Sequence, residues 1–205
     1  MKQFLGILRI IFRNVKAVGK MSEIELIERA QRGDKEAYAE LVYLHHRTVE
    51  KFAFQCGVRV DDIPEITQEV FVKIFRFLDQ FNRERFTTWL YKITLNATRD
   101  YYRKESREKA KEDKLITTRA YNFNVKSAEE RVLVFEEDQE LHLAIQSLDE
   151  KYRHPIILFY FHELSYEQMA EVLNVPISTI KIRLLRAKAH LKIALEMNGG
   201  AGHGR

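Results

Sequence analysis

The residues of this chain best suited to do chemistry are a run of cations near its carboxyl end. Between positions 181 and 192 there is no acid, and the five positive side chains are Lys181, Arg183, Arg186, Lys188 and Lys192. Such a cluster suits phosphate, because neutralised phosphates release counterions from a nucleic acid. No nucleophile–base pair, phosphate-cradling glycine loop or paired carboxylates can be assembled from the sequence. The chain is predicted to bind nucleic acid, to be no enzyme and to use no cofactor or metal.

The cations must be positioned by helices, and the surrounding sequence is typical of a helix-turn-helix. Ser165 and Gln168 form a capping box at the start of a short helix. Asn174 tolerates the left-handed conformation of a tight turn, and Pro176 opens a second helix. The small Ala170 allows the two helices to approach closely. The run of cations, taken alone, is also compatible with a solvated basic helix in an ordinary helical bundle.

The apolar stripe of the second helix predicts which side chains face outward. Ile180, Leu184 and Leu191 recur at helical spacing and must face the core. On a helical wheel the residues opposite this stripe include Leu185 and could reach base edges or phosphates. The residues predicted to bind DNA here are Ser178, Thr179, Lys181, Ile182, Arg183 and Arg186.

Two stretches of the chain resemble a known family. LSYEQMAEVLNVPISTIKIRLLRAKAHLK, with the preceding SLDEKYRHPIILFYFHE, is similar to the promoter-reading fourth region of bacterial sigma factors of the extracytoplasmic-function (ECF) group, in the sigma-70 family. DDIPEITQEVFVKIFRFLDQF and RFTTWLYKITLNATRDYYRK resemble the second region of that group. The matches span about residues 24 to 195.

The resemblance implies a promoter-specificity subunit that binds core RNA polymerase, recognises minus-35 and minus-10 promoter elements and supports strand opening. The implied partners are core RNA polymerase, double- and single-stranded promoter DNA, and an anti-sigma factor associated with the membrane. The alternative function is a stand-alone helix-turn-helix regulator whose N-terminal domain dimerises or senses a ligand.

A second basic surface is predicted on a helix from about Phe86 to Arg103. On the wheel Thr88 joins three cations on one side, bordered by Asn96 and by a Trp89 that is predicted to be mostly buried. Cations beside flat or amide groups suit single-stranded DNA, because they bind phosphates and unstacked bases. The resemblance implies that this helix and the preceding loop capture the non-template strand of the minus-10 element. The residues so assigned are Asn82, Arg85, Lys92, Asn96, Arg99 and Arg103.

A third surface is predicted on a helix from Pro64 to Leu78, which should bury Ile66, Val70, Ile74 and Phe77 and expose a polar face. The resemblance implies that this face docks on the clamp-helix coiled coil of RNA polymerase. Pro64 and Glu65 stand where the family more often has Glu and Asp. The residues assigned to polymerase binding are Asp62, Glu65, Gln68 and Glu69, and a charged solvent face is the structural alternative.

The chain is predicted to be all-α, with two small helical domains joined by a flexible linker and a helix-turn-helix in the second. Three Pro and eight Gly in 205 residues favour helices. Capping boxes at Ser22 and Ser127 mark the domain starts, and Pro155 is predicted to open a core helix. The predicted divisions are an N-terminal extension (1–20), a region 2-like domain (21–103), a charged linker (104–126), a region 4-like domain (127–197) and a flexible tail (198–205).

Residues 1–20 carry five cations and no acid, although the whole chain has a net charge of only +4. Apolar positions such as Phe4 and Leu8 lie opposite Arg9 and Arg13, as in a basic amphipathic helix on an anionic membrane or a partner. The alternative is that Met21 is the true start and the upstream segment is extra or disordered.

Cysteine content and apolar run lengths predict where the chain is located. A single cysteine, Cys56, excludes an internal disulfide and fits a reducing compartment. The longest apolar runs, such as Ile156 to Phe161, are far too short to span a membrane. The chain is therefore predicted to be cytoplasmic, with peripheral membrane contact through its basic N-terminal extension.

Overall fold

The computed structural model describes residues 21–82, 85–112 and 139–199, and this part of the chain is helical and contains no strand, which confirms the all-α prediction. The N-terminal unit comprises α1 (Glu23–Gln31), α2 (Lys35–Gln55), α3 (Ile63–Phe77) and α4 (Phe86–Glu112). Short 3-10 turns at Val60–Asp62 and Leu78–Gln80 flank α3. The C-terminal unit comprises α5 (Gln139–Gln146), α6 (Glu150–Ile156), a π-helical turn (Ile157–Phe161), α7 (Tyr166–Leu173) and α8 (Ile177–Gly199).

The predicted signals for helix starts are present as hydrogen bonds. The backbone N–H of Ser22 donates to Glu25 at 2.8 Å, and that of Ser165 donates to Gln168 at the same distance. Each serine hydroxyl accepts from the backbone N–H three residues on, at 3.3 Å. The capping boxes at Ser22 and Ser165 are therefore confirmed, whereas the one predicted at Ser127 lies outside the described residues.

Two apolar cores hold the helices together. The first lies among α1–α4 and includes the fully buried Val70 and Leu90. The second lies under α5–α8, but it also contains Phe52, Tyr91 and Leu95 from the N-terminal unit. The two units are therefore packed against each other through a shared apolar cluster.

Helix α4 ends later than predicted. The sequence predicts an end at Arg103 and a charged linker over 104–126, but the helix continues to Glu112. The added residues are mostly Lys, Glu, Arg and Ala, which have high helix propensity and need no buried face. Residues 113–126 of the predicted linker lie outside the described part of the chain.

Pro155 does not open a helix, contrary to the prediction. It lies inside α6, which begins about one turn earlier because Asp149 is a stronger start signal. The Asp149 carboxylate accepts a hydrogen bond from the backbone N–H of Lys151 at 3.0 Å. The helix gives way to the π-helical turn directly after Ile156.

We predict that His154 makes stability depend on pH. Its ring is buried, and burial lowers its pKa to about 4; Glu150 raises it, whereas Arg153 and Arg99 lower it. The unfolded chain takes up this proton near pH 6.5, so it binds more protons than the folded chain between these two values. The free energy of unfolding should therefore fall by about 2–3 kcal/mol as the pH drops from about 6.5 to about 4.

Urea unfolding at a series of pH values checks this prediction. His154→Leu should remove most of the slope in that window, and His190→Asn, at an exposed position, should retain it. An unchanged slope in His154→Leu would show that another group is responsible.

Candidate nucleic-acid interface

The helix-turn-helix forms as predicted, and its turn is closed by a left-handed residue. Asn174 has φ 53° and ψ 51°, and the N–H of Val175 donates to the Ala170 carbonyl at 3.1 Å. Ile180, Leu184 and Ala187 of α8 are buried beneath the turn. The opposite face of α8 is consequently directed to solvent.

The structure exposes most of the residues predicted to bind DNA on α8. Thr179 and Arg183 are half-buried, and the exposed ones are Ser178, Lys181, Ile182 and Arg186. Ile182 is 52% exposed and Leu185 is 72% exposed, which is unusual for aliphatic side chains on a helix with a complete inner stripe. Aliphatic groups on an outward face suit the methyl group of thymine.

Two of the α8 cations lie over the faces of aromatic rings. The Nζ atom of Lys181 lies 5.9 Å from the ring centre of Tyr166, and that of Lys188 lies 5.5 Å from that of Tyr160. Contacts of this kind attract the ammonium group to the ring face while leaving it accessible. The arrangement presents fixed positive charge along the outer face of α8.

A second surface is an open cleft of about 690 Å³ between the end of α3, the following loop and α4. We call it the α3–α4 cleft. Trp89 stacks on Phe81 with ring centres 5.0 Å apart, and Phe77 is 44% exposed beside them. The lining consists of Lys73, Phe77, Gln80, Phe81, Asn82, Trp89, Ile93, Asn96, Arg99, Asp100 and Arg103.

The structure brings together four of the six residues predicted to bind single-stranded DNA. Asn82, Asn96, Arg99 and Arg103 line the α3–α4 cleft, whereas Arg85 and Lys92 do not. The basic surface predicted on α4 is therefore part of a concave site in the structure.

Two predictions about individual side chains near the cleft are wrong, and one is confirmed. Thr88 is 2% exposed and belongs to the interior, so it is not part of the basic side of α4. Trp89 is mostly buried, as predicted, and packs against the first core while its accessible part forms a wall of the cleft. Phe77 was predicted to be buried, but α3 ends there and the chain turns away before another element can cover its ring.

The charges in the cleft are partly compensated. Lys73 Nζ lies 2.6 Å from Glu69 and 3.5 Å from Asp100. Partial burial lowers the pKa of Lys73, but these two carboxylates outweigh burial and raise it overall. Arg103 lies 3.4 Å from Asp100, and Arg99 Nε donates to Glu150 of the C-terminal unit at 2.9 Å.

The predicted polymerase-binding residues lie along the start of α3. Glu65 and Gln68 are exposed, and the half-buried Glu69 contacts Lys73. Asp62 differs from them, because its carboxylate accepts hydrogen bonds from Arg59 Nε and from the Tyr101 hydroxyl, each at 2.7 Å. Asp62 therefore ties α3 to α4, and the other three form the accessible polar face.

Within the described ranges no group of His, Cys, Asp and Glu could hold a metal ion. None of the described helices is long and apolar enough to cross a membrane.

Comparison with protein families gives two matches in the order of the two units. Residues 41–108 match "Sigma-70 region 2" and residues 138–191 match "Sigma-70, region 4". The first match covers the cleft and most of α4, and the second covers the helix-turn-helix.

Relatives extend the similarity over most of the chain. The "ECF RNA polymerase sigma-E factor" of Haemophilus influenzae is 31% identical over 177 residues, covering 82% of this chain and 93% of that protein. The sigma-E factor of Escherichia coli K12 is also 31% identical, covering 82% and 92%. The "ECF RNA polymerase sigma factor SigW" of Bacillus subtilis is 30% identical, covering 81% and 92%.

Solved structures with the same fold include CnrH in complex with the cytosolic domain of CnrY. This match has a TM-score of 0.63 at 26% identity and covers 85% of this chain and 97% of that one. The sigma factor RpoE, in complex with the anti-sigma factor NepR from Bartonella quintana, has a TM-score of 0.62 at 24% identity and covers 77% and 95%.

Proposed function

Because this chain belongs to the ECF group of sigma-70 family RNA polymerase sigma factors, we propose that α8 reads the minus-35 element and that the α3–α4 cleft holds single-stranded minus-10 DNA. The chain is a promoter-specificity subunit and not an enzyme, so the bond-making chemistry belongs to the polymerase. Because the chain belongs to this family, the alternative function of a stand-alone helix-turn-helix regulator is set aside. The division into domains at 21–103 and 127–197 is part of the proposal.

The observation that carries the proposal is the composition of the α3–α4 cleft. Three aromatic rings, three amides and three cations, with the single acid Asp100, converge on one concave surface in the same chain as a helix-turn-helix. Every base has a π-face that can stack on an aromatic ring, and cations contact the connecting phosphates. Unstacked bases also expose edges that amides can bond, here Asn82 and Asn96.

Strand opening then needs no hydrolysis of a nucleotide. The cleft binds bases only after they have left the duplex, so its binding energy stabilises the melted strand and shifts the equilibrium toward the open complex. The α8 helix supports this step by fixing the promoter in register through contacts in the major groove.

The experiment that tests the function is transcription by core polymerase with this chain, on promoters randomised in the minus-35 element. Single replacements of Ser178, Lys181, Ile182 and Arg186 are compared with the unaltered chain. A base contact should be worth about 1–3 kcal/mol and change the preferred base, whereas loss of a phosphate contact should weaken all sequences alike. If no replacement changes the preferred sequence while polymerase binding is retained, α8 does not read the promoter.

We predict that Gln68→Ala combined with Glu69→Lys weakens binding to core polymerase about tenfold. The two side chains belong to the accessible polar face of α3, and reversing a charge at an interface costs affinity through repulsion and unpaired groups. Binding is measured with labelled protein and purified core enzyme. Glu28→Lys, an exposed charge reversal on α1, serves as the control, and equal affinities for both variants would remove this face from the interface.

An anti-sigma factor is the proposed regulatory partner. CnrH, which is 26% identical to this chain and has a similar fold, was solved in complex with the cytosolic domain of CnrY. We propose the same kind of complex for this chain, in which a membrane-associated anti-sigma factor binds the chain in the cytoplasm.

Residues 1–20, which lie outside the described residues, are proposed to contact the membrane surface peripherally. We predict that the full chain binds anionic vesicles and that a chain starting at Met21 binds at least tenfold less, because five cations and an apolar stripe are lost. Sedimentation with vesicles at low and high salt measures this binding. Equal binding by both chains would exclude the extension as an anchor.

A further inference from the structure

One edge of the outward face of α8 carries two lysines. Ile182 lies on the outward face, and Lys181, its neighbour along the chain, lies about 100° from it around the helix axis. Lys188 follows Lys181 by seven residues, close to two helical turns, so both lysines lie on the same side of α8. When a helix lies in the major groove, the middle of its outward face meets the bases and its edges lie beside the phosphates. In the proposed binding mode the lysine edge therefore lies beside a sugar–phosphate backbone.

Three aromatic rings form a continuous row along this edge. Phe159 and Tyr166 stack with ring centres 5.7 Å apart, and Tyr160 packs edge-on against Phe159 at 5.0 Å. The Nζ atom of Lys181 lies 5.9 Å from the ring centre of Tyr166, and that of Lys188 lies 5.5 Å from that of Tyr160. We call the three rings the aromatic row. Each end of the row thus contacts one lysine of α8.

Tyr160 is more exposed than its neighbours in the π-helical turn. Ile157 and Leu158 are fully buried, whereas Tyr160 is 51% exposed. Its ring lies between Phe159 and Lys188, so it provides a contact for a cation and adds little to the core. Turns of this kind are rare in helices and are frequent at functional sites.

Lys188 is charged and available for an external partner. The described part of the chain shows no carboxylate paired with it, whereas Lys192 lies 3.8 Å from Glu196. The Tyr160 hydroxyl raises the pKa of Lys188 through a hydrogen bond, so the ammonium group is protonated at neutral pH. Lysine side chains are flexible, and ordering one at a phosphate costs conformational entropy. A ring that already restrains the ammonium group reduces this cost.

We propose that Lys188 is a further contact of this chain with the DNA backbone at the minus-35 element, and that Tyr160 is the positioning residue that holds its ammonium group at the edge of α8. Phe159 keeps the Tyr160 ring in place. Contacts with phosphates carry no sequence information, but they fix the register in which the middle of α8 meets the bases. The inference rests on the proposed function of α8 and adds Lys188 to the residues predicted to bind DNA.

The test measures binding of core polymerase carrying this chain to a fluorescent promoter duplex at low temperature, where the strands stay paired. Lys188→Ala should weaken binding about three- to tenfold. The slope of the logarithm of affinity against the logarithm of salt concentration should become shallower by about 0.9, the value for one phosphate contact. The preferred minus-35 sequence should not change, because a phosphate contact weakens all sequences alike.

Replacements of Tyr160 test the positioning role. Tyr160→Leu removes the ring without changing the charge and should weaken binding about threefold, whereas Tyr160→Phe keeps the ring and should bind within twofold of the unaltered chain. The loss in Tyr160→Leu should disappear when Lys188 is already alanine, because the two side chains act as a unit. A ring that only stabilised the fold would cause the same loss with either residue at position 188.

Lys151 and Tyr152 supply a matched control pair. Lys151 Nζ lies 5.0 Å from the Tyr152 ring centre, and Tyr152 packs against His190, roughly on the opposite side of α8 from Lys188. Lys151→Ala removes the same charge, and Tyr152→Leu removes the same kind of ring. Each should change affinity less than twofold and leave the salt slope unchanged, since Lys151 already lies 3.2 Å from Asp149.

The outcomes separate the inference from the function beneath it. Equal effects of Lys188→Ala and Lys151→Ala overturn the backbone contact. No loss in Tyr160→Leu, an equal loss in Tyr160→Phe, or a loss that persists without Lys188 overturns the positioning role. Arg186→Ala, at an exposed position of α8, tests the function itself. If Arg186→Ala and Lys188→Ala both leave affinity and salt slope unchanged, the proposed function of α8 fails with the inference; if only Lys188→Ala does so, the inference alone fails.

Discussion

A chain in which Arg99 and Arg103 are both alanine should bind core polymerase and the promoter duplex but fail to keep the strands apart. The two cations line the α3–α4 cleft beside Trp89 and Asn96, where the proposed function places the unpaired strand. Contacts to DNA of this kind are worth about 1–3 kcal/mol each. The population of open complexes should therefore fall at least about thirtyfold, because two such contacts are lost and both are made only after melting.

Permanganate reactivity of unpaired thymines measures the open complex, and gel retardation at low temperature measures the closed one. Arg85→Ala with Lys92→Ala removes the same charge from positions that do not line the cleft. This pair should have a clearly smaller effect on reactivity. If both pairs reduce reactivity equally, general electrostatic attraction is responsible and the cleft has no special role.

Gly57→Ala should destabilise the protein by about 2–3 kcal/mol, although it adds a single methyl group. Gly57 has φ +98°, a conformation that disfavours any residue with a Cβ atom. The added Cβ would also lie 2.6 Å from both the Gln146 side-chain oxygen and the Tyr102 hydroxyl. Those groups can move only by giving up hydrogen bonds, since Gln146 accepts from Arg153 at 2.7 Å and Tyr102 donates to the Cys56 carbonyl at 3.1 Å.

Gly33 supplies a matched control for that substitution. Its φ is +90°, and nothing lies within 4 Å of where its Cβ would be. Gly33→Ala should therefore show the backbone penalty alone, about 1 kcal/mol. Urea unfolding midpoints of both variants give the difference, which measures how closely the two units approach at Gly57. Equal losses of stability in the two variants would mean that the close packing of the two units at Gly57 contributes nothing to the free energy of unfolding.

Local sequence signals were sufficient to predict the helix-turn-helix. Ser165, Asn174 and Pro176 act on the backbone within a few residues, so their effect is visible without the rest of the fold. The exposure of Ile182 and Leu185 followed from the same local periodicity. The sequence therefore predicted correctly which residues of α8 face the core and which face solvent.

The α3–α4 cleft could be predicted only in part. Helical periodicity placed Arg99 and Arg103 on one side of α4 with Asn96 at its border, but it could not reveal that α3 ends at Phe77 and leaves that ring uncovered. It also could not show that Thr88 packs inward, because this depends on which element lies beside it. These are properties of tertiary contacts, and the spacing within one helix does not encode them.

The contact between the two units had no sequence signal. The bonds from Gln55 to Gln146 and to His162 join residues 91 and 107 positions apart. Glutamine and histidine at isolated positions give no periodic pattern, and nothing in their neighbours indicates a buried partner. Only the assembled fold shows that they satisfy one another.

The length of α4 has a consequence for how the chain tolerates insertions and deletions. A helix of 27 residues rises about 40 Å, so the polypeptide leaves the N-terminal unit along a fixed axis and at a fixed angle around it. Removing one residue between 104 and 112 turns the end of α4 by about 100° about the helix axis, whereas removing a whole turn nearly restores its direction. The number of residues in α4 therefore sets the angle at which the chain leaves the helix as well as the distance it reaches.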